Sequence, residues 1–230
     1  LSAMYGIHPT YVQEMLGDQR YSSEQLLSAI NFLKTAESSF YSFESMIRAI
    51  SGHSGNEYGD WSAKNWARGK DVLIVGAGPN TEHYKDEIIG YVKRKNPVVL
   101  CLNINEFFPE ELVTAYVACH ETRILIESGR YSDLIKPIIL PLGNLPEKLK
   151  KLLSNISIFD YGLRIQEGAF EILDNGCVLD SSLAISFAIS VATASGATKI
   201  LLTGIDGYEK SDSRQLEMIA SLERYSDLDK

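Results

Sequence analysis

From about residue 70 onward, short apolar runs alternate with longer amphipathic stretches, the pattern of parallel strands joined by helices that cover both faces of a sheet. The predicted strands are 71–75, 98–102, 115–119, 138–140, 157–159 and 199–203. Helices are predicted over 81–94, 121–128, 146–153 and 182–195, with a short turn after Pro109 and a final polar helix over 213–224. The helix at 182–195 carries Leu183, Ile185, Phe187, Ala188, Ile189, Val191 and Ala192, apolar nearly all round, so it is expected to be the most buried. Ahead of this region the pattern is helical. Pro9 opens a segment 10–16, Ser22 or Ser23 caps one containing Leu26, Leu27, Ile30 and Leu33, and Phe40, Phe43, Met46, Ile47 and Ile50 continue the spacing. The polar stretch Ser51 to Asn56 then reads as a linker or exposed loop, which divides the chain into a helical segment, 1–55, and an α/β domain, 56–230. Trp61 and Trp66 follow, and are expected to pack the junction as core aromatics rather than to stack a ligand.

Composition narrows the partners. At 230 residues with 45% hydrophobic and 23% charged positions, the chain can bury a full core and is not a disordered polyampholyte. A net charge of −8 argues against a general nucleic-acid surface, which needs a basic excess to displace counterions. A compact anionic ligand stays open, because a few backbone N–H groups suffice to hold it. No apolar run reaches the roughly 20 residues of a membrane span. The 3 cysteines, Cys101, Cys119 and Cys177, lie in apolar runs without CxxC or His spacing, which fits a reduced, cytoplasmic setting rather than a zinc site or disulfide framework. The first residue, Leu1, reads as the start of a piece of a longer protein.

Three places carry candidate chemistry. In Val72-Leu73-Ile74-Val75-Gly76-Ala77-Gly78-Pro79-Asn80 a buried strand runs into two glycines and then a helix. That layout turns free N–H groups and a helix dipole toward an anion, and Gly76 and Gly78 let backbone approach phosphate oxygens. Thr81 stands where the dinucleotide fingerprint has its third glycine and Pro79 sets a different turn, so this is not the standard dinucleotide motif; a tight turn with no ligand explains the same residues. Next, Asn103 and Asn105 end the strand 98–102, where an amide gives a donor and an acceptor to a base or ribose; Asn is equally a strand-ending turn residue. Last, Ser181 and Ser182 precede the apolar helix, as ligand contacts or as an N-cap, and Gly204-Ile205-Asp206-Gly207 ends the strand 199–203. Asp206 there can coordinate Mg²⁺, act on a sugar hydroxyl, or cap a turn. His120 closes the strand 115–119 on the expected ligand side and is the candidate proton-transfer group, a structural role being the alternative; His83 is expected to be solvated, and His8 and His53 have no visible partner. The fold class is α/β: a Rossmann-like, doubly wound, mostly parallel sheet with an N-terminal helical appendage.

The run Gly69 to Asn80, the Asn after the second strand, and Ser181-Ser182 through Gly204-Ile205-Asp206-Gly207-Tyr208 resemble the Rossmann-like bacterial lipooligosaccharide sialyltransferases. They resemble equally the 6-hydroxymethylpterin diphosphokinase MptE-like proteins. The likeness covers about residues 69–210. In the first family it implies that the GxGP turn and the Asn hold the phosphate and sugar of a CMP-type nucleotide or nucleotide-sugar. In the second it implies ATP as a diphosphate donor, with Mg²⁺. One departure stands out: the sialyltransferases carry a catalytic His shortly before the Ser-containing turn, whereas Gly168 to Val178 contains none, leaving Glu167 or Glu171 as alternative bases. Separately, Tyr5 to Val12 and Arg20-Tyr21-Ser22 resemble the region after the barrel in 4-hydroxy-2-oxovalerate aldolases and pyruvate carboxyltransferases. That likeness implies a parent lyase, with homo-oligomerisation through the N-terminal helices or an upstream domain. Three functions are therefore expected in competition: a nucleotide or nucleotide-sugar binding domain with transferase activity in surface-glycan assembly, a Mg²⁺-dependent diphosphokinase, and a non-catalytic assembly or regulatory module.

Overall fold

Every position of Val72 to Val75 and of Val98 to Leu102 is buried, so these strands have no solvent face. Successive side chains enter opposite cores. Leu73, Val75, Val99, Cys101 and Tyr116 point to one, and Val72, Ile74, Leu100, Leu102 and Val117 to the other. The structure, a computed structural model, describes residues 53–145, 147–166, 168–180 and 182–206. The helices predicted within 9–51 and over 213–224, and the residues Glu167, Ser181, Gly207 and Tyr208, lie outside the described residues.

In chain order the elements are β1 (His53–Asn56), β2 (Asp71–Val75), α1 (Pro79–His83), α2 (Lys85–Lys95), β3 (Val98–Leu102), β4 (Ala115–Val117), α3 (Glu121–Tyr131), β5 (Ile138–Leu140), α4 (Glu147–Leu152), β6 (Ile158–Asp160), β7 (Gly162–Gln166), β8 (Glu171–Leu173), β9 (Gly176–Leu179), α5 (Ala184–Ala194) and β10 (Lys199–Thr203). Six strands form the main sheet in the order β10-β2-β3-β4-β5-β6, and each neighbouring pair is parallel. Starting from β2 the chain steps outward to β6 on one side, then returns to lay β10 on the other. The winding direction therefore reverses between β2 and β10, the place where doubly wound sheets open a crevice at their carboxyl edge. Val92 of α2, Ile124 and Tyr131 of α3, and Leu149 of α4 fill one core. The opposite face is covered by α5, buried continuously from Ile185 to Ala192 as its all-round apolar pattern requires.

Helix ends follow local chemistry. After α2, Asn96 takes the left-handed conformation and donates its N–H to Val92 O at 2.9 Å, with Lys93, Arg94 and Lys95 complementing the carbonyl end of the dipole. The single helix predicted over 81–94 bends at Tyr84 into α1 and α2, although Tyr84 N–H still bonds Asn80 O and Ile88 N–H still bonds Tyr84 O, both at 3.0 Å. The strand predicted over 115–119 ends at Val117, and that at 157–159 shifts one residue to Ile158–Asp160.

A second sheet was not predicted at all. Its order is β1-β7-β9-β8, and it includes His53–Asn56, which the sequence reading had assigned to a linker or exposed loop. Leu163, Cys177 and Leu179 from this sheet join the core beneath α5. The chain leaving β1 is fastened across it: Gly59 N–H donates to Asn175 O and Asn175 Nδ2 to Gly59 O, both at 2.9 Å. Trp61 then stacks on Phe159 with centroids 4.7 Å apart and meets Trp66 edge-on at 5.5 Å, and both tryptophans, partly buried, pack against the core.

Gly176 is where this crossing is tightest, since a Cβ there would strike the Glu57 carbonyl oxygen. Gly176→Ala is therefore expected to destabilise by more than about 3 kcal/mol, read as a lowered urea midpoint, because backbone rather than a flexible side chain must move.

Candidate functional site

The five register pairs from Lys199↔Asp71 to Thr203↔Val75 deliver the turns after β2 and β10 to the carboxyl edge side by side. There the two turns bond to each other. Gly76 N–H donates to Thr203 O at 2.8 Å, and Gly78 N–H to Gly204 O at 2.9 Å. Asn80 N–H donates to Asp206 Oδ2 at 3.1 Å, its side-chain Nδ2 also donates to Asp206 Oδ1, and Thr81 N–H closes onto Gly78 O at 2.9 Å. These donors, which the sequence reading turns toward a phosphate, are engaged within the protein. The glycines have an internal reason too: a Cβ on Gly78 would strike the Asp206 carboxylate, one on Gly76 the Gly204 carbonyl, and one on Gly204, whose φ is +66°, the Thr81 hydroxyl.

Asp206 thus serves as a cap supplied from across the sheet. Gly78 occupies the N-cap position of α1 and has no side chain to offer, Pro79 fills N1 without needing a bond, and the Asp206 carboxylate takes the next free amide. Among the described residues no group of three or more His, Cys, Asp or Glu side chains is placed to hold a metal ion, and Asn80 engages both carboxylate oxygens.

The two asparagines after β3 part company. Asn105 is 5% exposed and bonded at both ends of its amide: Nδ2 donates to Gly76 O at 2.9 Å while Oδ1 accepts from Phe107 N–H at 2.9 Å. With Thr81 Oγ1 donating to the same Gly76 carbonyl at 2.7 Å, that oxygen has both lone pairs occupied. Asn103 continues the ladder by donating its backbone N–H to Val117 O at 2.9 Å, then turns into the left-handed region at φ +55°. It is 7% exposed, and its Oδ1 is buried with no hydrogen-bond partner among the described residues. A buried acceptor left bare costs roughly 1–3 kcal/mol.

His120 lies three residues beyond the shortened β4, as the N-cap residue of α3. Burial, helped by the nearby Arg123 guanidinium, lowers its pKa from the usual 6.5 to about 4. The imidazole is consequently neutral near pH 7, able to donate or accept a hydrogen bond but not to act as an acid. Cys119 beside it donates Sγ–H to Ser182 O at 3.1 Å, which brings the residues just ahead of α3 and of α5 into contact at the same edge. Burial also pushes the Cys101 and Cys177 thiols up to about 12, so neither is a thiolate.

One buried carboxyl escaped the sequence reading. Glu127 on α3 is 4% exposed; its Oε2 accepts from Ile104 N–H at 3.5 Å and from Tyr131 Oη–H at 3.4 Å. Burial raises its pKa, with Arg123 the largest opposing influence. A signal was present, for Glu127 sits at helical spacing between the buried Ile124 and Tyr131, on the apolar stripe rather than the solvent face. No protein-family model matches the chain, and no curated protein matches it.

Two outcomes are expected. Asp206→Ala removes the cap and lowers stability by about 1 kcal/mol in urea unfolding. For His120 the folded pKa is depressed, so its contribution is intact above pH 6.5 and is lost as pH falls from there toward 4, the window in which only the unfolded chain takes up the proton. The loss reaches at most about 3 kcal/mol. Urea midpoints at pH 7 and pH 5 should accordingly differ more in the wild type than in His120→Gln.

Proposed function

We propose that the chain binds a small phosphorylated ligand of the nucleotide or nucleotide-sugar class at the carboxyl edge of its parallel sheet, as a transferase-like domain of surface-glycan assembly. The Asn103 carbonyl oxygen carries this reading. It is a buried acceptor without a donor, one residue past β3, at the edge where α/β sheets take their ligands. A base amino group or a sugar hydroxyl would supply the donor. The phosphate falls to the groups around Ser182 and the neutral His120, since Gly76, Gly78 and Asn80 spend their amides internally.

One observation favours a second reading. Asp206 already fills the corner beside Gly78, so the domain would also suit a non-catalytic assembly or regulatory role in a lyase of the aldolase type that the N-terminal segment resembles.

Titration calorimetry with CMP, CDP, a CMP-sugar and ATP with MgCl₂ separates the two. Binding of at least one is expected, weakened about tenfold or more in Asn103→Gly, which is a loss of about 1.4 kcal/mol. The same variant should keep its stability within about 1 kcal/mol of wild type, because glycine accepts the left-handed φ and the bare acceptor disappears. Silence from all four nucleotides with folded protein would remove the nucleotide reading and leave the assembly role.

A further inference from the structure

The segment Asn103 to Phe107 is tied down from three directions. Asn103 N–H bonds Val117 O beyond the end of the β3–β4 ladder, Asn105 bridges to the Gly76 carbonyl, and α3 reaches across with Glu127 to Ile104 N–H and with Arg130 to Glu106. The two α3 contacts differ in kind. Arg130 and Glu106 meet at 2.6 Å, but with 34% and 70% of their side chains exposed the pair is screened by water and holds little. Glu127 is 4% exposed, on the stripe of α3 that carries Ile124 and Tyr131 into the core. An apolar side chain would fill that place without the cost of desolvating a carboxyl. What Glu127 adds instead is an acceptor for the one loop amide next to Asn103.

We infer that Glu127 is a positioning residue for the ligand site: it fixes the loop that presents the Asn103 carbonyl, and its protonation state sets how firmly. This rests on the reading that Asn103 meets the ligand. When ionised, Glu127 is the stronger acceptor for the long contacts from Ile104 N–H at 3.5 Å and Tyr131 Oη–H at 3.4 Å; when protonated, it is a weaker one and the Ile104 tether slackens. The groups facing it are Arg123, Arg130 and Tyr131 from α3, Cys101 from β3 and Ile104 N–H from the loop, while Arg130 is shared with Glu106 and with Tyr116 of β4. Burial is the largest influence and raises the carboxyl above the ordinary Glu value, which moves the change in tether strength toward neutral pH.

The test needs no ligand. In ¹H–¹⁵N spectra of the full chain recorded from pH 4 to 9, the Ile104 amide and the Asn103 side-chain amide should titrate together, with one midpoint above the ordinary Glu range. Glu127→Gln should abolish that titration, and Tyr131→Phe, which removes a donor to the carboxylate, should move the midpoint upward. Titration persisting in Glu127→Gln, Ile104 moving while Asn103 stays still, or no titration over the whole range would each overturn the inference. With a nucleotide that binds in calorimetry, wild-type affinity should change at least threefold across the midpoint and stay constant in Glu127→Gln; an unchanged wild-type affinity counts against it. If all four nucleotides are silent, the ligand reading of the site fails, and the spectra still decide whether Glu127 positions the loop.

Discussion

Two backbones, those of Gly76 to Gly78 and Gly204 to Asp206, approach so closely that none of the three glycines can carry a side chain, and much of the carboxyl edge follows from that contact. It is a consequence of register. Once β10 aligns with β2 from Asp71↔Lys199 to Val75↔Thr203, the turns that follow must share one space, and they do so by bonding. The buried Thr81 hydroxyl and the Asn105 amide both end on the Gly76 carbonyl, which locks the first turn to α1 and to the loop after β3. Asp206 completes the arrangement from the far side by capping Asn80. A corner built this way is rigid and electrostatically closed, since the dipole of a helix N-terminus already has a carboxylate beside it.

Polar groups at this edge sort by whether the fold satisfies them. Thr81 and Asn105 are buried and bonded, so they explain themselves as structure. The Asn103 oxygen is buried and bare, at a residue that also holds a left-handed backbone conformation. Two local costs in one residue, with the loop around it pinned by β4, by the β2 turn and by α3, describe a strained position held by its surroundings. Side chains kept in such positions are the ones for which a role outside folding is worth seeking.

The main sheet was legible because its signal is strong: Val72 to Val75 and Val98 to Leu102 are apolar without interruption, and α5 is apolar on every side. The second sheet was not, because its strands, HSGN, GLRIQ, EIL and GCVL, break their few apolar positions with glycine and polar residues. Even so, Asp174-Asn175 between β8 and β9, followed by Gly176, is a hairpin signal, and Leu163 and Ile165 alternate with Arg164 and Gln166 in β7. Ser51 to Asn56 misled for a different reason, since a polar Gly/Ser stretch pairs as readily at a sheet edge as it loops, and only β7 as a neighbour decides between them. At the site, sequence picked out the residues at the carboxyl ends of the strands, but proximity and availability are separate properties. Whether an amide is free depends on what stands opposite it, and Asp206 lies 126 positions from Asn80.

That distinction changes what a ligand here would have to bring. A phosphate asks for donors, and the amides of Gly76, Gly78 and Asn80 are already committed; the Asn103 side-chain oxygen asks for a donor on the ligand. The part of a nucleotide or sugar entering deepest would then be its uncharged, hydrogen-bearing portion, with the anionic part nearer the chain around Ser182 and His120. Discrimination follows from the same asymmetry. A ligand that leaves the oxygen bare forfeits roughly 1–3 kcal/mol, about five- to 150-fold in affinity, relative to one that presents an N–H or O–H there. An additional negative charge on the ligand gains nothing at this oxygen, because the group to be satisfied is itself an acceptor. Selectivity at this edge would therefore lie in the base or sugar, and would depend on how firmly the loop from Asn103 to Phe107 is held.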